Sequence, residues 1–367
     1  MMRLPTAPSA LPTPERPTPE RPTPERPTPE RLRERFARFQ REGGKFRVAV
    51  LNACNLDCFF CHNEAMPNPR RLGKAAAPAR GVLSLAELAR LSSAYARLGG
   101  AQVNVTGGEP LAHPELFEFL EAVDRRGPDG RLTKLVLNSN VVLAERLLER
   151  PVHPSLSGIL ASLHTTSDQA FRERLGGRSA REVMDNIAAL ARHGYAVEIN
   201  YSLGPYNRDE FPAVLDFALA HGIPLKAIAL VRPDRSEGFY GGDWVDPTWL
   251  TGPLEARGAR AKGERAALGG LTTTYEVAGV QVKVKNVARG RLRTSFCQGC
   301  AHQDACGEGI YGLRVGVDGQ WKPCLLRSER YQPVDPTRPY EDQILALIDA
   351  MVGDWTESAV FATGAPE

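Results

Sequence analysis

Phe46-Arg47-Val48-Ala49-Val50-Leu51-Asn52-Ala53-Cys54-Asn55-Leu56-Asp57-Cys58-Phe59-Phe60-Cys61 is the stretch on which the reading of this chain turns. The apolar run from Phe46 to Leu51 reads as a strand. Directly after it, Cys54, Cys58 and Cys61 stand as C-x-x-x-C-x-x-C. Three thiols this close cannot all pair as disulfides. They can ligate three irons of a cubane [4Fe–4S] cluster, which normally takes four cysteines, and one iron is then left open to a small molecule. A zinc knuckle, thiols placed by chance, and a structural cluster completed by a distant cysteine are the alternatives.

The rest of the composition is consistent with an iron–sulfur protein of the cytoplasm. The 367 residues are 42% hydrophobic, enough for one large domain and a smaller one. A net charge of +3 argues against a nucleic-acid binder. No apolar stretch approaches the roughly 20 residues of a membrane span, and Met1 to Leu11 lack the apolar core of a signal peptide. The seven cysteines divide cleanly into Cys54, Cys58, Cys61 and a second group, Cys297, Cys300, Cys306, Cys324. That partition points to metal ligation in a reducing compartment rather than to disulfides.

Outward from the cysteine loop the chain alternates. Residues 12–31 are four copies of Pro-Thr-Pro-Glu-Arg, so 1–31 reads as a disordered or polyproline II tail. A short charged helix is predicted over Leu32 to Gln40. Strands are predicted at Phe46–Leu51, Gln102–Val105, Leu135–Leu137, Ile159–Leu163, Val197–Leu203 and Leu225–Val231. Helices are predicted between them: one capped by Ser84, then Pro114–Val123, Ala144–Leu148, Ala180–Arg192 and Asp209–Ala220. Repeated strand–helix units imply an α/β fold with a parallel sheet and right-handed crossovers. Its chemistry belongs at the C-terminal strand ends, where the cysteine loop sits. Beyond residue 235 the pattern changes. Thr272–Val284 reads as a hairpin turning at Ala278-Gly279, and Ile344–Met351 as a late helix.

After the second strand comes Thr106-Gly107-Gly108-Glu109-Pro110. The glycines free the backbone for close approach to a ligand, and Glu109 offers a carboxylate to an ammonium group. Together with Cys54-Asn55-Leu56-Asp57-Cys58-Phe59-Phe60-Cys61, whose third cysteine follows an aromatic residue, this resembles the radical S-adenosylmethionine (radical SAM) enzymes over about residues 46–235. The resemblance implies a partial (β/α)6 barrel over 32–235. It implies a [4Fe–4S] cluster on Cys54, Cys58 and Cys61 whose open iron chelates S-adenosylmethionine. Reduction, by a donor such as flavodoxin or ferredoxin, then yields a 5′-deoxyadenosyl radical that takes a hydrogen atom from the substrate. Gly107, Gly108 and Glu109 would meet the methionine ammonium, Asn138-Ser139-Asn140 the ribose, and Ser162 and Asn200 other parts of the cofactor. A structural reading, in which Ser139, Ser162 and Asn200 satisfy strand-end backbone groups, stands beside this.

The second group reads Cys297-Gln298-Gly299-Cys300, Cys306, then Leu313-Arg314-Val315 and Val317-Asp318-Gly319 before Cys324. Asp318-Gly319 predicts a hairpin between Gly312–Val317 and Gln320–Cys324 that returns Cys324 toward the preceding cysteines. Four thiolates suit zinc or a cubane cluster. Beside a radical SAM barrel they point to an auxiliary [4Fe–4S] cluster in a small C-terminal domain, 236–367, resembling SPASM or twitch domains. The segment is also similar to the end of the GTP 3′,8-cyclase family of molybdenum cofactor synthesis, as are Cys61-His62-Asn63-Glu64 and the stretch from Asn200 to Phe211. Two features depart from that family: Cys306 supplies a fourth candidate ligand where the cyclase has three, and the chain ends Thr363-Gly364-Ala365-Pro366-Glu367 where the cyclase ends in two glycines.

Arg47 and Arg314, beside the two cysteine groups, are candidates to clamp an anionic substrate, with an ion pair as the alternative. His62 and His164 are candidate proton donors, and Tyr201 and Tyr206 candidate radical relays or core residues. The expectation is therefore a biosynthetic enzyme that abstracts hydrogen from a small molecule or peptide. GTP cyclisation and a non-catalytic iron–sulfur or zinc sensor are the alternatives, and no nucleic acid or membrane partner is expected.

Overall fold

The computed structural model describes residues 27–66, 83–229, 245–287, 289, 294–301 and 310–353. Six parallel strands follow one another in space as in sequence: β1 (Lys45–Ala49), β2 (Gln102–Thr106), β3 (Lys134–Ser139), β4 (Leu156–Ser162), β5 (Val197–Leu203) and β6 (Leu225–Ala229). The connecting helices are α2 (Leu85–Arg97), α3 (Leu116–Ala122), α4 (Glu145–Leu148), α5 (Asp168–Leu175), α6 (Ala180–His193) and α7 (Phe211–His221). This is the expected α/β partial barrel. The helices begin and end where local chemistry dictates. Ser84 and Glu87 form a reciprocal capping box at α2, while Ser179 caps α6 and left-handed Gly194 closes it. The apolar faces of these helices then cover the sheet. Helix α5 escaped the sequence reading. It is short, and its stop at Gly176 leaves little periodicity to detect.

The tail reading 1–31 needs one correction. The last repeat copy is ordered: Thr28 accepts the N–H of Arg31 and Pro29 opens helix α1 (Pro29–Arg41). Each copy carries this capping residue and first-turn proline. The last copy alone leads into Leu32, Phe36 and Phe39, and Phe36 and Phe39 are buried. Residues 1–26 lie outside the described residues.

The sheet does not stop at β6. The hairpin β8 (Gly270–Val277) and β9 (Val280–Asn286) turns at Ala278-Gly279 as expected, and both turn residues have positive φ. Strand β9 pairs parallel with β6, and β7 (Arg260–Ala267) pairs with β8. At the other edge β10 (Gly312–Gly316) pairs parallel with β1, and β11 (Gln320–Lys322) and β12 (Gln332–Pro333) follow antiparallel. Among the described residues the strands form one twelve-stranded sheet. The boundary expected near residue 235 is thus not a boundary of the core. Phe46 of β1 stacks on Tyr95 of α2 with ring centres 4.7 Å apart and lies 6.1 Å from Trp321 of β11. Helix α8 (Thr251–Glu255) lies between β6 and β7 in the chain. The last helix, α9 (Tyr340–Val352), is tied to α1 by Arg35–Asp349 and to α2 by Arg97–Glu341 at 2.6 Å.

Candidate functional site

The loop after β1 is held by its neighbours' backbone. Gly108 N–H donates to the Leu51 carbonyl at 2.6 Å and Glu109 N–H to that of Ala53 at 3.0 Å. From the end of α5, the carbonyls of Leu175 and Arg174 accept the N–H groups of Asp57 and Phe59. The paired glycines have a physical reason that the sequence did not disclose. A Cβ on either would overlap a carbonyl of the cysteine loop: Leu51 for Gly107, which also sits at φ +131°, and Ala53 for Gly108. The close approach they permit is to the chain that carries Cys54.

Cys54, Cys58 and Cys61 line one cavity of about 260 Å³. All the residues expected to contact the cofactor line it too: Gly107, Gly108, Glu109 and Asn138-Ser139-Asn140 on one side, Ser162 and Asn200 on the other. Two of the sulfurs already accept backbone N–H groups, Cys54 from Leu56 at 3.4 Å and Cys61 from Asn63 at 3.3 Å. Such bonds favour the thiolate form that binds metal. Among the described residues no three His, Cys, Asp or Glu side chains are drawn together around a single ion. The donor set fits a [4Fe–4S] cluster with an open iron, and the polar strand ends beside it fit an amino acid-bearing cofactor.

Glu109 is 1% exposed. Its carboxylate accepts from Ser139 Oγ at 2.7 Å, Asn140 N at 2.8 Å and Leu111 N at 2.9 Å. Burial pushes its pKa up to about 7 against the opposing pull of these donors. Glu109 therefore joins the ends of β2 and β3 as well as facing the cavity. Ser139 is spent on that bond and on Val141 N. Asn140 donates to Asn55 Oδ1 at 2.7 Å, beside Cys54, and Asn138 accepts from Asn104 at 3.0 Å.

Arg47 and Arg314 are register partners on β1 and β10, and both converge on a carboxylate within the chain. Glu64 takes Arg47 Nε at 2.9 Å on Oε1 and Arg314 Nε at 3.0 Å on Oε2. Burial alone would raise the Glu64 pKa, but Arg47, His62 and Arg314 overcome it and hold the carboxyl far below its usual range. On β9 and β5, Lys283 pairs with Glu198 at 2.9 Å, both side chains about a third exposed. Lys226 and Lys45 lie near this pair. Burial lowers both their pKa values, that of Lys45 to about 8, and neighbouring cations push the same way. Glu64, Lys226 and Tyr311 line the cavity with Arg47, and the sequence reading gave none of the three a role. An inward lysine on a parallel strand, Lys226 in Leu-Lys-Ala-Ile-Ala, was the available signal.

The remaining candidates separate. His62 Nδ1 accepts Glu64 N–H, so it caps the loop. His164 lines the cavity, accepts Ser202 N–H at 3.1 Å, and is held neutral by burial with its pKa lowered to about 4. Tyr206 stacks on Phe60 with centres 5.5 Å apart, whereas Tyr201 is core, its hydroxyl bonded to the Asn207 carbonyl. In the second group Cys297 and Cys300 share a turn, Cys300 N donating to Cys297 O at 3.2 Å. Cys300 and Cys324 are both near enough to Arg327 to add to the rise in its pKa, which the Glu329 hydrogen bond dominates. Cys306 lies outside the described residues.

Comparison with known proteins agrees with this geometry. The Radical SAM superfamily matches residues 48–218. The GTP 3′,8-cyclase of Nitrobacter winogradskyi is 27% identical over 86% of this chain and 87% of its own length. That of Erythrobacter litoralis is 28% identical over 80% and 82%. Streptococcus suis SuiB bound to S-adenosylmethionine superposes with a TM-score of 0.56 at 13% identity, over 89% of this chain and 73% of that one, a likeness of fold. With three thiols on the loop after β1, a cavity at the strand ends and a matching sequence signature from β1 to α7, the chain carries a Radical SAM superfamily domain over residues 48–218 and is an enzyme that uses a [4Fe–4S] cluster and S-adenosylmethionine.

Proposed function

We propose that the chain is a radical SAM enzyme of the GTP 3′,8-cyclase type, acting on a purine nucleoside triphosphate. The names of its curated relatives support this reading over the small molecule or peptide that the sequence favoured. The observation that carries it is the charge of the barrel interior. Lys45, Arg47, Lys226, Lys283 and Arg314 gather around Glu64 and Glu198, so cations outnumber carboxylates. Lys45 and Lys226 are half-buried and share Glu198 with Lys283, so positive charge stays in excess there, and a polyphosphate would neutralise it. When bound, cluster and cofactor together supply a carbon radical able to remove a hydrogen atom. The chain's own part is to hold the ribose carbon near that radical and the phosphates near Lys226 and Arg47. His164, neutral and locked by Ser202, gives a hydrogen-bond donor on the opposite ring nitrogen without adding charge.

The second cysteine group belongs to this reading as the ligand set of an auxiliary [4Fe–4S] cluster, Cys297, Cys300 and Cys324 with Cys306 as the fourth candidate. So do a flavodoxin- or ferredoxin-type reductant and a cytoplasmic setting. Among the described residues no helix is long and apolar enough to cross a membrane.

The test is anaerobic reconstitution with iron and sulfide, reduction with dithionite, and addition of S-adenosylmethionine with GTP. A cyclised guanosine product and 5′-deoxyadenosine are expected together. Lys226→Met is expected to weaken GTP binding at least roughly ten-fold, the loss of one buried charge-assisted contact. 5′-Deoxyadenosine with GTP recovered unchanged would remove the nucleotide reading while leaving the enzyme class standing.

A further inference from the structure

Asn63, Glu64 and Ala65 stand consecutively at φ 46°, 50° and 58°, a left-handed turn of three residues that are not glycine. L residues rarely adopt this backbone singly, and a run of three persists only where the surroundings over-determine it. What holds this turn comes from far away in the chain. Arg47 of β1, Thr106 at the end of β2 and Arg314 of β10 all donate to the Glu64 carboxylate. Lys322 of β11 donates to its backbone carbonyl at 3.0 Å while pairing with Asp318 at 2.6 Å. Glu64 is 3% exposed, and Arg314 and Lys322 are 1% exposed each, so the bonds between these three are shielded from water.

The ion pair also explains how β10 can lie on β1 at all. Arg47 and Arg314 are directly opposed in the ladder. Like charges opposed on one face repel unless an anion lies between them. Glu64 is that anion. It stands three residues after Cys61, and Lys322, bound to its carbonyl, stands two before Cys324.

We propose that Glu64 is a positioning residue that ties the loop bearing Cys54, Cys58 and Cys61 to the β10–β11 hairpin bearing Cys324, so that both cysteine segments take their geometry from one buried carboxylate. It touches no reacting atom. Its effect runs through Arg314 and Lys322 to β11, and through the strained turn back to Cys61. This stands independently of which substrate the cavity takes.

The test uses the reconstituted full-length chain and hydrogen–deuterium exchange read by mass spectrometry on peptides covering residues 61–66 and 320–324. Glu64→Gln keeps the shape and removes the charge. It is expected to speed exchange at least roughly ten-fold in both segments, because loss of a charge-assisted bond opens the regions that it joins. The electron paramagnetic resonance signal of the reduced first cluster with S-adenosylmethionine is expected to shift with it, and Glu64→Asp to restore part of both effects. Should Glu64→Gln fail to fold, Lys322→Met reports instead: it lies in β11 and is expected to speed exchange at residues 61–66. Acceleration confined to the segment that carries the substitution, or an unchanged cluster signal in Glu64→Gln, overturns the proposal.

Discussion

Replacing Gly108 by alanine tests the packing on which the cysteine loop depends. The new Cβ would overlap the Ala53 carbonyl and come within 3.0 Å of the Asn52 carbonyl carbon, both backbone atoms that no rotamer change can move aside. Either the loop lifts or the end of β2 retreats. Both responses break Gly108 N–H to Leu51 O at 2.6 Å and Glu109 N–H to Ala53 O at 3.0 Å. Two buried backbone hydrogen bonds contribute about 1 kcal/mol each, and overpacking adds about 1–3 kcal/mol, so the substitution costs about 3–5 kcal/mol. Because Cys54 directly follows Ala53, the displacement reaches the first thiol without an intervening hinge. Denaturant unfolding and iron analysis of the reconstituted protein are the assays. The expected result is a large loss of stability together with iron bound at the first site falling below half. Gly130→Ala is the control: Gly130 also has positive φ, +78°, but nothing lies within 4 Å of its Cβ. That variant should lose about 1 kcal/mol from backbone strain and keep its iron. A Gly108→Ala protein with wild-type iron content and stability would refute the argument that this glycine exists for the loop.

Two further predictions concern charge and the N-terminus. The Glu109 pKa is raised from 4.5 to about 7, so the folded state holds a proton that the unfolded state releases. The stability this contributes is present below the unfolded value and lost as pH rises through the folded one, a fall of ~3 kcal/mol by about pH 8. Glu109→Gln should flatten that part of the profile in denaturant melts of the cluster-free protein, and an identical slope would contradict it. Deleting residues 1–26 should leave the melting temperature unchanged, whereas deleting 1–31 removes the Thr28 cap and should cost about 1 kcal/mol. Equal melting for the two truncations would show that the cap contributes nothing.

Much of this protein was legible because its decisive signals are local. The alternation of short apolar runs with amphipathic stretches specified six parallel strands in sequential order. Three cysteines within eight residues, at the end of the first strand, specified a cluster loop at the catalytic end of the barrel. The Asp318-Gly319 and Ala278-Gly279 turns specified their hairpins through backbone preferences of the residues themselves. Only the tertiary structure decided which strands those hairpins extend. Pairing of β10 with β1 and of β9 with β6 joins segments with no shared sequence period, selected by burial and hydrogen bonding across the whole sheet. From the pairing of β10 with β1 comes an arrangement that spacing could not show: Arg47 opposite Arg314, Glu64 between them, and Lys322 on the strained turn. A carboxylate's role depends on which charges reach it through space, and spacing along the chain carries no record of that.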